Sequence, residues 1–254
     1  MFGLKKRRRE KLRQKPLPWN WLQIVRQNVP IYNRLSPADQ AELNGHIQVF
    51  LAEKEFEGCG GLQITDKIKL TIAAQACVLL LHRQTDYYPG LSSILVYPQA
   101  YIAAHSRHLE SGVVVEGDEV RLGESWHRGS IVLSWEDVQE EARSSRHAQN
   151  VVLHEFAHQI DISGGKGDAT PILRNRSSFL AWASTLQKGY EKLCADVNVG
   201  RPTILSEYGA TDPAEFFAVA TEAFFENPLR LKQHHPELYS KLQEFYQQDP
   251  ASLI

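Results

Sequence analysis

His154, Glu155 and His158 stand in the stretch V-V-L-H-E-F-A-H-Q-I-D, residues 151–161. Histidines four residues apart lie one turn from each other on one face of an α-helix, so both imidazoles can reach a single ion. Glu155 follows the first of them and projects beside that ion, where a carboxylate can take a proton from an attacking water. Two neutral imidazoles suit zinc, which in catalytic centres takes three protein ligands and leaves one position open. Val151, Val152, Leu153, Phe156, Ala157 and Ile160 around the pattern predict a buried helix. An amphipathic core helix with two incidental histidines is the alternative. The apolar surround weighs against it, because two buried imidazoles without partners would be costly.

The third ligand must come from elsewhere in the chain. A histidine in the pattern H-E-x-x-H-x-x-G-x-x-H is excluded, since Asp161 and Gly164 occupy the positions where that pattern needs glycine and histidine. Asp161 shares the helix face of 154 and 158, but its short side chain suits support of an imidazole N–H better than ligation. A glutamate on another helix remains, and Glu207, Glu215 and Glu222 are the candidates. Asp212-Pro213-Ala214-Glu215 also reads as a helix start, with an N-cap aspartate, proline at the first position and a capping-box glutamate. Periodicity alone does not choose between Glu215 and Glu222.

The elements that must position these residues are legible in outline. Ser36-Pro37-Ala38-Asp39 opens an amphipathic helix running to about Phe56, and Gly58-Cys59-Gly60-Gly61 breaks it. Thr65-Asp66 opens a second helix with a nearly all-apolar stretch, Ile72–Leu81, which His82 closes as a partner of the C-terminal dipole. Ser93–Tyr97, Val113–Val115, Glu119–Leu122 and Ser130–Trp135 read as short strands. His105, His108 and His127 lie among them without ligand spacing. Glu136 starts a helix to about Arg146, Gly164–Asp168 is a loop, and helices follow at about Ser177–Val197, within Leu205–Asn227, and at Pro236–Gln247. Ser130–Trp135 is the expected edge strand for pairing with an extended peptide.

The 254 residues suffice for one large domain or two modest lobes. No apolar run approaches the roughly 20 residues of a membrane span. Cys59, Cys77 and Cys194 are odd in number and scattered, which argues for a reducing, cytoplasmic setting and against a disulfide scaffold or a thiolate zinc site. Residues 1–15 hold eight of the 28 Lys and Arg and one of the 30 acids, leaving the remainder at −9. They are expected as a basic, flexible tail ahead of a single domain at 16–254. An arm for nucleic acid or anionic lipid is the sharper alternative.

H-E-F-A-H-Q-I-D together with Y-G-A-T-D-P-A-E-F-F-A (residues 208–218) resembles the Mlc titration factor A family of bacterial zinc peptidases. The same pair of motifs is similar to the metalloprotease domain of anthrax lethal factor. The first likeness extends through G-E-S-W (Gly123–Trp126), V-L-S-W-E-D (Val132–Asp137) and F-Y-Q-Q-D-P (Phe245–Pro250), and so covers most of the chain after about residue 20. It implies an α+β, zincin-like fold, mostly helical, with a small mixed sheet over the motif helix. It implies one zinc ion per chain held by His154, His158 and Glu215, with Glu155 as general base and Tyr208 donating to the oxyanion. A further histidine that some members carry upstream of G-E-S-W has no counterpart in Ser111–Glu119. Aminopeptidase activity on peptides is implied, as is sequestration of a sugar-responsive transcriptional repressor, which could accompany proteolysis or replace it.

Overall fold

Ser36 and Thr65 cap their helices as the sequence predicts: Ser36 Oγ accepts from Asp39 N–H at 3.1 Å and Thr65 Oγ1 from Ile68 N–H at 3.3 Å. These caps belong to a computed structural model that describes residues 2–99, 101–108, 114–121, 123–126, 129–143, 149–163 and 176–254. In chain order its helices are α1 (Phe2–Arg13), α2 (Trp19–Asn28), α3 (Pro37–Glu53), α4 (Asp66–Val78), α5 (Trp135–Arg143), α6 (Val151–Ser163), α7 (Arg176–Asn198), α8 (Pro213–Glu226), α9 (Pro228–His234) and α10 (Pro236–Tyr246). The strands are β1 (Glu55–Gly58), β2 (Ser93–Tyr97), β3 (Tyr101–His108), β4 (Val114–Arg121), β5 (Gly123–Trp126) and β6 (Ser130–Ser134). The predicted loop at Gly164–Asp168 and His127 fall outside the described residues.

Helices therefore dominate, with a small sheet in the order β1-β2-β6-β5 and a separate β3–β4 hairpin. β1, β2 and β6 are parallel, and β5 runs antiparallel to β6 with Gly123 opposite Leu133 and Trp126 opposite Ser130. The expected edge strand is thus an inner one. Ile131, Val132, Leu133 and Ser134 are all buried, which is the two-faced burial of a central strand and not the alternation of an edge. β5 forms the outer edge on that side. The described parts of two elements predicted as short strands, Val113–Val115 and Glu119–Leu122, are one continuous strand, β4, because Gly117 stays in register with His105 of β3; Val113 and Leu122 themselves fall outside the described residues. β1 takes residues read as the end of α3: its ladder to Ser93–Val96 outweighs helical continuation.

α6 lies at the centre of the fold, packed on α8, on α4 and against β5 and β6. Its Phe156 ring meets Tyr88 at 4.8 Å and Phe50 of α3 at 5.6 Å between centroids. Such fully buried aromatic contacts fix the rotation of the helix about its axis, and so fix the face on which His154 and His158 emerge.

One expectation fails at the periphery. His82 does not close α4; it lies past Val78 in a left-handed conformation (φ 62°). Its ring sits between Asp39 (3.2 Å) and Glu42 (3.5 Å) of α3, which hold the turn in place. Residues 2–13 form α1, docked on α3, where Arg9 Nε and Nη2 donate to both oxygens of Glu53 at 2.8 and 2.7 Å and its guanidinium stacks 4.7 Å from the Tyr87 ring. Gly45 permits the approach, since a Cβ there would stand 3.0 Å from the Arg13 carbonyl oxygen. A forked guanidinium on a carboxylate is directional in a way that a general cloud of positive charge is not. Arg9→Ala is accordingly expected to lower unfolding free energy by about 1–2 kcal/mol, read from urea denaturation. An unchanged midpoint would return α1 to the status of a tail.

Candidate metal centre

Asn150 starts α6 by accepting from Leu153 N–H through its side-chain oxygen at 3.0 Å. The other free amides of the first turn are met by carboxylates from neighbouring helices. Asn150 N–H donates to Glu222 Oε2 and Val151 N–H to Glu141 Oε2, each at 2.7 Å, and Asn150 Nδ2 reaches Glu226 Oε1 at 2.8 Å. Three acids at a helix N-terminus complement its dipole. Their mutual repulsion remains, and burial foremost, then Glu222, Asp137 and Glu226, push the Glu141 carboxyl up to about 8 against the opposing Val151 hydrogen bond. α6 is thereby fastened to α5 and α8 at the end from which His154 projects.

α8 presents the opposite wall. Asp212 caps it, accepting from Ala214 N–H at 2.8 Å and Glu215 N–H at 3.0 Å through Oδ1. The capping half of the sequence pattern is thus carried by Asp212. The Glu215 carboxylate instead reaches across to α6, with Oε2 2.9 Å from His154 Nε2 and 3.3 Å from His158 Nε2. The two Nε2 atoms are 3.1 Å apart. One turn of α6 and one of α8 so bring three ligand atoms within 4.8 Å of one another.

Glu222 lies two turns further along α8 and takes the other nitrogen of the same ring, with Oε1 2.7 Å from His154 Nδ1. The sequence set Glu215 and Glu222 as rivals; the structure brings both to His154, on opposite sides of the imidazole. A carboxylate on Nδ1 fixes the tautomer that donates there and leaves the Nε2 lone pair facing His158 and Glu215. Seven residues put both glutamates on one face of α8, which says that they share a wall but not that they share an imidazole. Glu207 sits on the short 3-10 turn Glu207–Ala210, and no contact of its carboxylate brings it into this group.

The donor set tests for a cation directly. Three lone-pair donors within van der Waals reach repel unless a positive charge lies among them. Burial disfavours the His154 cation, but Glu215 and then Glu222 outweigh it and hold its pKa at about 10. Burial similarly opposes ionisation of Glu215, while His154 and His158 hold it down to about 2. A proton meets this demand in part; a divalent metal ion meets it with the coordination number that two imidazoles and a carboxylate offer. Glu155 and Glu222 are 4% and 5% exposed, and these buried carboxylates beside His154 add to the requirement for positive charge. The residues fit a metal ion.

Tyr208 stands at the rim, 55% exposed, its ring 5.9 Å from that of His154. Ser206 Oγ accepts from Tyr208 N–H at 3.3 Å and starts the 3-10 turn. Gly209 lets the turn lie close to its supports: a Cβ there would meet Leu193 of α7 at 3.1 Å and Val219 of α8 at 3.3 Å. The turn is thus seated on two helices with its tyrosine facing the cluster.

The profile of a family described as glucose-regulated metallo-peptidase M90 matches residues 4–247. A Synechocystis protein, slr2042, described as uncharacterised, is 40% identical over 244 residues, spanning 96% of this chain and 89% of its own. Proteins named Mlc titration factor A are 31% identical over 241 residues in Klebsiella pneumoniae (94% of this chain, 88% of theirs) and 34% over 226 residues in Serratia proteamaculans (87% and 85%).

Proposed function

The chain belongs to the glucose-regulated metallo-peptidase M90 family, and from that premise we propose that it is a zinc-dependent peptidase with His154, His158 and Glu215 as ligands, Glu155 as general base and Tyr208 as oxyanion donor. The observation that carries this is the convergence of His154 Nε2, His158 Nε2 and Glu215 Oε2 from two helices, with Glu222 behind the first. We take residues 16–254 as one zincin-like domain, with α1 packed on its surface.

A zinc ion bound there supplies Lewis acidity, polarising a scissile carbonyl and drawing the pKa of water down toward about 7. The chain's residues do the rest. Glu155 accepts the proton of the attacking water and returns it to the leaving amine. Glu222 holds His154 in the tautomer and orientation that ligation needs. Tyr208 donates its hydroxyl to the oxygen on which charge develops. β5 is the outermost described strand of the sheet and packs on α6, so an extended peptide paired to the edge of β5 that no other described strand takes would run past the cluster.

Tyr208→Phe is expected to lower kcat by roughly ten- to a thousandfold with little change in KM, because the contact forms mainly in the transition state. Zinc content should hold. An unchanged kcat would leave Tyr208 with a packing role.

Aminopeptidase specificity is our choice among peptidase activities, on the family likeness. It is tested with amino-acid p-nitroanilides and their N-acetylated counterparts. Chelator-sensitive release from the free amines alone is expected; equal cleavage of the blocked set would make the enzyme an endopeptidase. The name Mlc titration factor A, carried by relatives at 31% and 34% identity, supports a second role, binding of a sugar-responsive transcriptional repressor. Capture of a purified repressor of that kind by the Glu155→Gln protein would separate this role from proteolysis. Failure to capture it would remove that role. We assign both roles to a cytoplasmic protein on its odd, scattered cysteines; no described helix is long and apolar enough to cross a membrane.

A further inference from the structure

Behind the Tyr208 turn, α7, the segment Arg201–Ile204 and α9 line a solvent-open cavity of about 330 Å³, with Lys192, Arg201 and Arg230 at its exposed rim. Its charged wall is unbalanced. Lys192 and Arg201 share one carboxylate, Asp196, at 3.3 and 2.5 Å. Thr203, Arg230, His234 and His235 complete the polar lining, and Arg230 makes no ion pair among the described residues. Three permanent cations therefore face one anion across the cavity. The imbalance is felt by His235, whose pKa is held below its ordinary value by burial first and then by Lys192 and His234, against Asp196. Leu193, Pro202 and Ile204 give the remaining wall an apolar character.

We propose that this cavity is a binding site for the phosphate group of a small phosphate monoester. Arginines are suited to phosphate oxygens because the planar guanidinium donates two parallel hydrogen bonds. A partly enclosed cationic wall concentrates such anions. The volume lies at the lower end of the range for small-molecule sites, about 300–1,000 Å³, and exceeds what an inorganic phosphate fills. The apolar side supplies a surface for the organic part. Arg201–Ile204 leads through Leu205 into the Ser206 cap of the Tyr208 turn, and Leu193, which lines the cavity, also supports Gly209. An occupant is thus placed against the supports of the rim tyrosine without touching the metal ligands.

Calorimetric titration of the full chain with glycerol 3-phosphate, inorganic phosphate and glycerol, in separate runs, tests this. Saturable binding of the phosphate compounds but not of glycerol is expected. It should weaken with added salt and fall at least tenfold in Arg230→Gln, with partial recovery in Arg230→Lys. Tighter binding of glycerol 3-phosphate than of phosphate supports the monoester; equal affinity reduces the site to one for the free anion and overturns the organic part. No saturable heat up to about 10 mM, well above the Kd of a weak millimolar site, overturns the proposal outright, as does binding unaltered in Arg230→Gln. A chelator-treated sample should give the same titration, so failure here and failure of the zinc assignment are read separately.

Discussion

Glu155→Gln will keep its zinc and lose turnover by about a hundred- to ten-thousandfold, the range over which a positioned general base contributes. The side chain is 4% exposed on α6, directly after His154. The amide is nearly isosteric, so packing is kept while proton acceptance is removed. Metal analysis and hydrolysis of a p-nitroanilide on the same preparation check both halves. Loss of zinc together with activity would make Glu155 a ligand or a folding residue. Full activity would exclude it from proton transfer.

The second large effect falls on α8. Glu215→Gln should empty the centre as well as silence it, since a neutral amide oxygen is a poor replacement for a carboxylate between two imidazoles. Excess zinc should restore part of the occupancy. Were Glu215 only a helix cap, the same change would cost on the order of 1 kcal/mol and leave the metal in place, because glutamine also serves in a capping box. The structure already gives the cap to Asp212 Oδ1. Glu222→Gln should weaken zinc binding by roughly ten- to a hundredfold, the scale for a group that orients a ligand, and keep the site filled when zinc is ample.

What the sequence disclosed about this centre follows from the range of its signals. His154, Glu155 and His158 are visible because helical spacing fixes them locally, and the apolar residues around them announce a buried helix. Glu215 and Tyr208 came from motif likeness, because periodicity says which face of α8 a residue occupies but not what lies opposite. The pairing of Glu222 with His154 Nδ1 depends on how α6 and α8 meet, and no local pattern encodes that. The helix face of Asp161 suggests support of an imidazole N–H; at His154 Nδ1 the carboxylate is that of Glu222. The helix starts at Ser36, Thr65 and Asp212 were legible because capping is local chemistry.

The sheet was less so. The apolar run Ile131–Leu133 signals burial on both faces, and reading it as an edge overlooked the strands that cover it on either side. β1 was absorbed into α3 because four residues carry too little pattern to compete with a preceding amphipathic helix. In residues 1–15 the charge density hid one specific cation: Arg9 is distinguished from its neighbours only by the position of Glu53 and Tyr87 beneath it.

The most direct test of the account is zinc per chain in Glu215→Gln and Glu222→Gln, measured side by side after dialysis against a defined free zinc concentration and with circular dichroism to show that both are folded. The account predicts that Glu215→Gln falls well below one zinc per chain while Glu222→Gln stays near it. Retention of metal in Glu215→Gln with loss in Glu222→Gln would contradict it.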